Sequence, residues 1–185
     1  MDYFTADLHF GHERILSICK RPWASAKEMN EGLIALFNEV VTPEDTTYFL
    51  GDISFISRSE TRYLLSRLHG RKILVIGNHD TRSSLAWWKG SFDEVYDPRQ
   101  GQVIPYNQDI VMSHLPWRED LSIYDHRARL LPDACPRCHE VTLLHGHVHR
   151  MWAQQGNQIN VGVDVRGYRP ISIETIQTLI SLTNE

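Results

Sequence analysis

Hydrophobic positions along this chain change period several times, from alternation to helical spacing and back, and the changes divide it into elements. Residues 2–6 read as a first strand. Ser25-Ala26-Lys27-Glu28 has the spelling of a capping box. Met29, Leu33, Ile34, Phe37, Val40 and Val41 follow at helical spacing, which predicts an amphipathic helix over 26–41. Residues 47–50 form a short apolar run and predict a buried strand ending at Gly51-Asp52. Ser59 is placed to cap a helix carrying Tyr63, Leu64, Leu65 and Leu68, and residues 72–76 are a β-branched run leading into Gly77-Asn78. A short helix is expected over 83–89. Strands then follow at 94–96, 102–105, 109–113, 141–145 and 158–163, and a last helix over 172–182 buries Ile173, Ile176, Leu179 and Ile180. Strand and helix alternate in the first half and strands dominate the second. That order suggests an α+β fold of stacked sheets with helices outside, rather than one doubly wound sheet.

With 185 residues the chain is expected to form one domain, 1–185, with a core of its own. Apolar residues at 42% and charged residues at 23% are ordinary for a globular protein. The net charge of −4 offers no global attraction to nucleic acid or an anionic membrane, so neither is an expected partner. No apolar run approaches membrane-spanning length, and a motif as early as Asp7 leaves no room for a signal peptide. A cytoplasmic location with reduced thiols is the expectation. The three cysteines, Cys19, Cys135 and Cys138, fit no disulfide framework. Cys135-Pro-Arg-Cys138 is half of a zinc knuckle without its second pair, so it reads as loop thiols.

Chemistry concentrates where the apolar runs stop. Asp7-Leu8-His9, Gly51-Asp52, Gly77-Asn78-His79-Asp80, Ser113-His114 and Gly146-His147-Val148-His149 each follow such a run. If those runs are neighbouring strands, their ends converge on one sheet edge. The i, i+2 spacing of Asp7 and His9, and of His147 and His149, puts each pair on one side of an extended segment. Three histidines within five residues rarely serve packing, whereas a lone Asp-x-His or Gly-Asp is usually a solvated turn. Carboxylate oxygen and imidazole nitrogen together suit two divalent ions, with Mn²⁺ the first expectation and Fe, Zn, Co or Ni also compatible. Two ions roughly 3.5–4 Å apart can act on a phosphate ester as Lewis acid, as source of hydroxide and as clamp.

In this order the motifs resemble the signature of the calcineurin-like metallophosphoesterases over residues 2–164, with every element present. The resemblance implies a four-layer α/β/β/α sandwich, two mixed β-sheets flanked by helices, with the site at the strand ends. It implies one metal on Asp7, His9, Asp52 and His149 and the other on Asp52, Asn78, His114 and His147, with Asp52 bridging. It also implies His79 as the acid that protonates the leaving oxygen and Asp80 as the group that orients it. An imidazole beside a carboxylate suits that task near neutral pH, although a phosphate contact is the other reading of His79. The implied reaction is hydrolysis of a phosphodiester, such as a 2′,3′-cyclic nucleotide, or of a phosphomonoester, by a metal-bound hydroxide.

The substrate is expected to be a small phosphate ester, a nucleotide by preference. His12, close to the first metal, and the ligand Asn78 are expected to contact the substrate. Trp117 and Trp152 stand three residues beyond His114 and His149, where an indole can stack a base or pack in the core. Arg118, Arg127, Arg129 and Arg150 offer phosphate contacts or solvate a loop. Residues 115–140 form a long connection between the His114 and His147 strands and are expected to border the site. A nuclease needs an extended basic groove, which the acidic balance disfavours. A non-catalytic scaffold of the same fold would lose ligands, and none is lost here. Oligomeric state, metal identity and any metal at Cys135 and Cys138 are not written in the sequence.

Overall fold

The computed structural model describes residues 1–98, 102–117 and 140–183. In chain order the first elements are β1 (Asp2–Thr5), α1 (Glu13–Ile18), α2 (Ala26–Asn38), β2 (Thr46–Phe49), α3 (Arg58–Ser66), β3 (Arg71–Val75), α4 (Leu85–Lys89) and β4 (Glu94–Tyr96). They are followed by β5 (Ile104–Pro105), β6 (Ile110–Met112), β7 (Thr142–His145), β8 (Gln154–Gln155), β9 (Gln158–Asn160), β10 (Ile171–Ser172) and α5 (Ile173–Thr183). The strands make two five-stranded mixed sheets, in the orders β10-β1-β2-β3-β4 and β5-β6-β7-β9-β8.

Within the first sheet β1, β2, β3 and β4 are parallel and β10 runs against β1. In the second, β6, β7 and β9 are parallel, with β5 and β8 antiparallel at the edges. Parallel strands end on the same side, so the loops after β1, β2 and β3 gather at one edge, and those after β6 and β7 at another. A parallel bridge between Ala6 and Gly162, with Val163 N–H donated to Ala6 O at 3.1 Å, joins the two edges.

Side chains alternate across each strand, and this sorts them into layers. Phe4, Ala6, Leu50 and Val75 of the first sheet meet Ile110, Met112, Leu144, Ile159 and Val161 of the second in one buried cluster. Phe49 and Leu74 point the other way, into a cluster with Met29, Leu33, Phe37, Leu64, Leu65 and Trp88 from the covering helices. Helix α5 adds Ile176, Leu179 and Ile180 to the inter-sheet cluster. Val111 and Leu143 occupy the outer face of the second sheet with Trp117. The two-sheet, helix-flanked α+β fold expected from the sequence is therefore present.

The differences are local. Ser57, not Ser59, caps α3: its side chain accepts from Glu60 N–H and the Glu60 carboxylate accepts from Ser57 N–H. A Ser-x-x-Glu frame satisfies both ends of the box, and Ser59 lies too close to Glu60 to do so. Helix α2 stops at Asn38, and Val40 and Val41 both donate backbone N–H groups to Phe37 O in a closing turn. Residues 118–139, which include Arg118, Arg127, Arg129 and the Cys135–Cys138 pair, lie outside the described residues, as do 99–101.

Candidate metal centre

The loops at the strand ends have an unusual backbone. Seven described residues other than glycine have positive φ, and five of them are Asp7 (60°), His9 (52°), Asp52 (57°), His147 (70°) and His149 (50°). An L-residue in the left-handed region costs roughly 1–2 kcal/mol, and such strain persists where the surroundings impose it. Here it turns Asp7 and His9, His147 and His149, and the single Asp52 toward one point. Close backbone approach fixes the loops further. Gly51, at φ 85°, lies so near Gly77 that a Cβ on it would fall 2.5 Å from Gly77 Cα. A Cβ on Gly146 or Gly162 would meet the Asp7 carboxylate at 2.6 Å or 2.7 Å, so those glycines form the cradle in which that carboxylate sits.

The side chains converge as two overlapping triads, Asp7–His9–His149 and Asp7–Asp52–His114, whose potential ligand atoms lie within 4.8 Å of one another. Asp52 Oδ2 is 3.6 Å from His9 Nε2 and 3.5 Å from His114 Nε2, between the two groups. Asn78 Oδ1 stands 2.9 Å from His114 Nε2 and 3.1 Å from His147 Nδ1. All seven residues expected as ligands are thus in one place. Asp7 Oδ1 and both ring nitrogens of His9 are buried without a hydrogen bond among the described residues. Leaving such atoms unpaired costs about 1–3 kcal/mol each, more for a charged group, so the arrangement fits cations that these atoms would ligate.

The electrostatics agree. Burial pushes the Asp7 and Asp52 carboxyls up and holds His9 well below its usual range. Burial lowers His114 to about 4, leaving a neutral imidazole whose Nδ1 donates to Leu50 O at 2.7 Å and whose Nε2 lone pair faces the site. His149 behaves differently. Burial opposes its charge, but the Asp7 and Asp164 carboxylates outweigh that and push it up to about 11. With His9 and His114 neutral, His149 is the charged imidazole beside the buried Asp7 and Asp52 carboxyls, and divalent ions would supply the further positive charge that this pair can hold.

His79 lies at the open side of this cluster. Its N–H donates to Asp52 Oδ1 at 2.9 Å, and its Nε2 stands 3.9 Å from Asp52 Oδ2 with the side chain 24% exposed. The ring thus borders both the Asp52 carboxylate and solvent. Asp80 is held in the same turn. Its buried carboxylate accepts backbone N–H groups of Gly77 and Asp52 at 2.8 Å and of Ile53 at 3.0 Å, so it ties together the loops that carry Asp52 and Asn78. Burial, reinforced by the Asp52 charge, raises it to about 7.

His12 stacks on Phe55 at 4.1 Å and borders the same pocket, as does Trp152. Trp117 does not. It is 1% exposed, packs with Val111 and Leu143, and donates its indole N–H to Asn157 Oδ1 at 2.9 Å, because its strand end turns onto the outer face of the second sheet. His145 is buried with burial holding it near 3, and its Nδ1 donates to Gly146 O at 2.7 Å within the ligand loop.

Several positioning groups escaped the sequence reading. Asp164 Oδ2 accepts from His149 Nδ1 at 2.7 Å, and Arg21 holds Asp164 through Nε at 2.8 Å and Nη2 at 2.9 Å. The same guanidinium donates to Asp7 O at 2.7 Å and Leu8 O at 2.8 Å, which braces one loop against the other. Asn160 donates to His149 O and Trp152 O and accepts from Gly162 N–H. Asp164 follows the 158–163 run, the same signal that marked the ligands; Asn160 lies inside that run, and Arg21 gives no linear signal at all.

The comparisons with known proteins agree with this geometry. The model of the calcineurin-like phosphoesterase family matches residues 3–151. An uncharacterized protein of Methanocaldococcus jannaschii is 31% identical over 96% of this chain and 90% of its own length. The gene 66 protein of Mycobacterium phage L5 is also 31% identical, over 99% of this chain and 95% of its own. The crystal structure of a protein of unknown function from Aquifex aeolicus superposes with a TM-score of 0.67 at 32% identity, covering 97% of this chain and 98% of that one. The chain belongs to the calcineurin-like phosphoesterases, a family that implies divalent metal ions and hydrolysis of phosphate esters. No helix among the described residues is long and apolar enough to cross a membrane.

Proposed function

We propose that this protein is a dinuclear metal-dependent phosphoesterase, cleaving a phosphodiester such as a 2′,3′-cyclic nucleotide, or a phosphomonoester, with Mn²⁺ as the working metal. The observation that carries the reading is the set of five ligand-bearing residues held at positive φ around buried atoms without hydrogen bonds. Asp7, His9, Asp52 and His149 would hold one ion, and Asp52, Asn78, His114 and His147 the other. When bound, the ions supply Lewis acidity, an acidified water and a clamp on the phosphoryl oxygens.

The chain's own residues account for the rest. Asp52, between the two groups, would serve as a ligand to both. Asn78 contributes a neutral amide oxygen, which binds without reducing the positive charge that draws the ester in. His79, at the open side, gives its proton to the departing oxygen. Arg21 and Asp164 keep His149 aimed, so its geometry is fixed before substrate arrives.

Asp52→Ala is expected to abolish Mn²⁺-dependent hydrolysis of bis(p-nitrophenyl) phosphate and to lower retained metal below two ions per chain by elemental analysis. Full metal content and turnover in that variant would overturn the reading.

A further inference from the structure

We propose that the pocket beside the metal centre selects a nucleotide with a second phosphate, held by Arg82 and Arg14 with its nucleoside against Ile18, Met151 and Trp152. The proposal rests on the phosphoesterase reading above and names the substrate class of that site. The pocket has a volume of about 650 Å³, enough for a nucleotide, and opens over His9, Asp52, His79, His147 and His149.

Its charge is one-sided. Arg14, Arg82 and Arg150 line it together with the histidines, and among the described residues Asp52 is the one carboxylate in the lining. The chain as a whole is at −4, so this wall opposes the average. Arginine–carboxylate pairs among the described residues are made by Arg21, Arg67, Arg71 and Arg169, and neither Arg14 nor Arg82 has a carboxylate partner among the described residues. Glu13, next to Arg14, is turned to cap α2, with Oε1 accepting Ala26 N–H at 3.1 Å.

Arg82 is held in a particular posture. Its guanidinium lies 4.6 Å from the centre of the Phe55 ring, and His12 stacks on the same ring at 4.1 Å with 12° between planes. Phe55 also contacts His79 at 4.9 Å and the metal-ligand candidate His9 at 5.1 Å. A guanidinium held over an aromatic face keeps the N–H donors that point away from the ring available for an anion. Phe55 therefore sets that guanidinium beside the reacting phosphate, and the buried His12 Nδ1, without a hydrogen-bond partner, lies on the ring's other contact.

Part of the pocket rim is apolar. Ile18 is 62% exposed and Met151 46%, two of the most exposed large hydrophobic residues described, and both line this pocket with Trp152. Exposed apolar groups gathered at a pocket mouth mark a binding surface, and a purine beside an indole suits one.

The test compares AMP, ADP and adenosine 3′,5′-bisphosphate as ligands of the Mn²⁺-loaded protein, by calorimetry and by inhibition of bis(p-nitrophenyl) phosphate hydrolysis. At least one doubly phosphorylated ligand is expected to bind about tenfold or more tighter than AMP, as a charge-assisted bidentate contact supplies. ADP winning assigns the second phosphate to an anhydride, and the bisphosphate winning assigns it to the ribose. Arg82→Ala should bring that ratio below about two, and Ile18→Glu should weaken AMP relative to inorganic phosphate. A wild-type ratio near one, or a ratio unchanged in Arg82→Ala, overturns the subsite. Absence of any hydrolysis would overturn the phosphoesterase reading, while the calorimetric ratio still decides the subsite.

Discussion

At the scale of residues, the site separates groups that would hold metal from groups that would meet substrate, and His79 is proposed for the second set. Its backbone N–H is tied to Asp52, while its ring reaches the open side. As a proton donor it matters only where the leaving oxygen needs a proton. His79→Ala should therefore cost about 10²–10⁴-fold in kcat on an alkyl phosphodiester and under about tenfold on a nitrophenyl ester. Equal losses in a leaving-group series would assign the residue to phosphate binding instead. What the sequence could tell about single residues follows the same division. Asp7, His9, Asp52, Asn78, His114, His147 and His149 were legible because each ligand-type residue closes an apolar run. Arg21, Phe55 and Arg82 were not. Their contacts join loops distant in sequence, and no local pattern encodes a guanidinium lying on a ring.

At the scale of elements, legibility depended on how strongly local chemistry dictates structure. Helix α2 was readable from Ser25, which accepts Glu28 N–H, and from its apolar stripe; α1, with six residues, is too short to show a period. The two-residue strands β8 and β10 were missed for the same reason, since edge pairing of so few residues is settled by neighbours. The α3 cap gives a direct check. Ser57→Ala removes the acceptor for Glu60 N–H and should lower stability by about 1 kcal/mol in urea unfolding. Ser59→Ala should change it by less than about 0.5 kcal/mol, as an ordinary surface substitution does. The reverse order would return the cap to Ser59.

For the whole molecule, metal and fold are linked through protons. His149, raised to about 11 in the metal-free protein, must lose its proton to serve as a ligand. Because its folded value lies above its ordinary 6.5, its contribution to metal-free stability is complete below 6.5 and declines as pH rises toward 11. Metal binding runs the other way, gaining about tenfold in affinity per pH unit for one displaced proton. The rise in Tm on adding Mn²⁺ should therefore be larger at pH 8 than at pH 6 in paired calorimetric scans; equal rises would show that no proton is displaced. The ligand loops add a mechanical side to this linkage. Asp7, His9, Asp52 and Asn78 follow strands of one sheet, whereas His114, His147 and His149 follow strands of the other. Across the same sandwich, Tyr106 OH donates to Asp2 Oδ2 at 2.8 Å. The ions would act as rivets through two plates, so a sub-ångström slide of one plate against the other would misalign both halves of the ligand set at once. Small molecules wedged between the plates near Tyr106 would then silence the centre from a distance, with no contact to metal or ester.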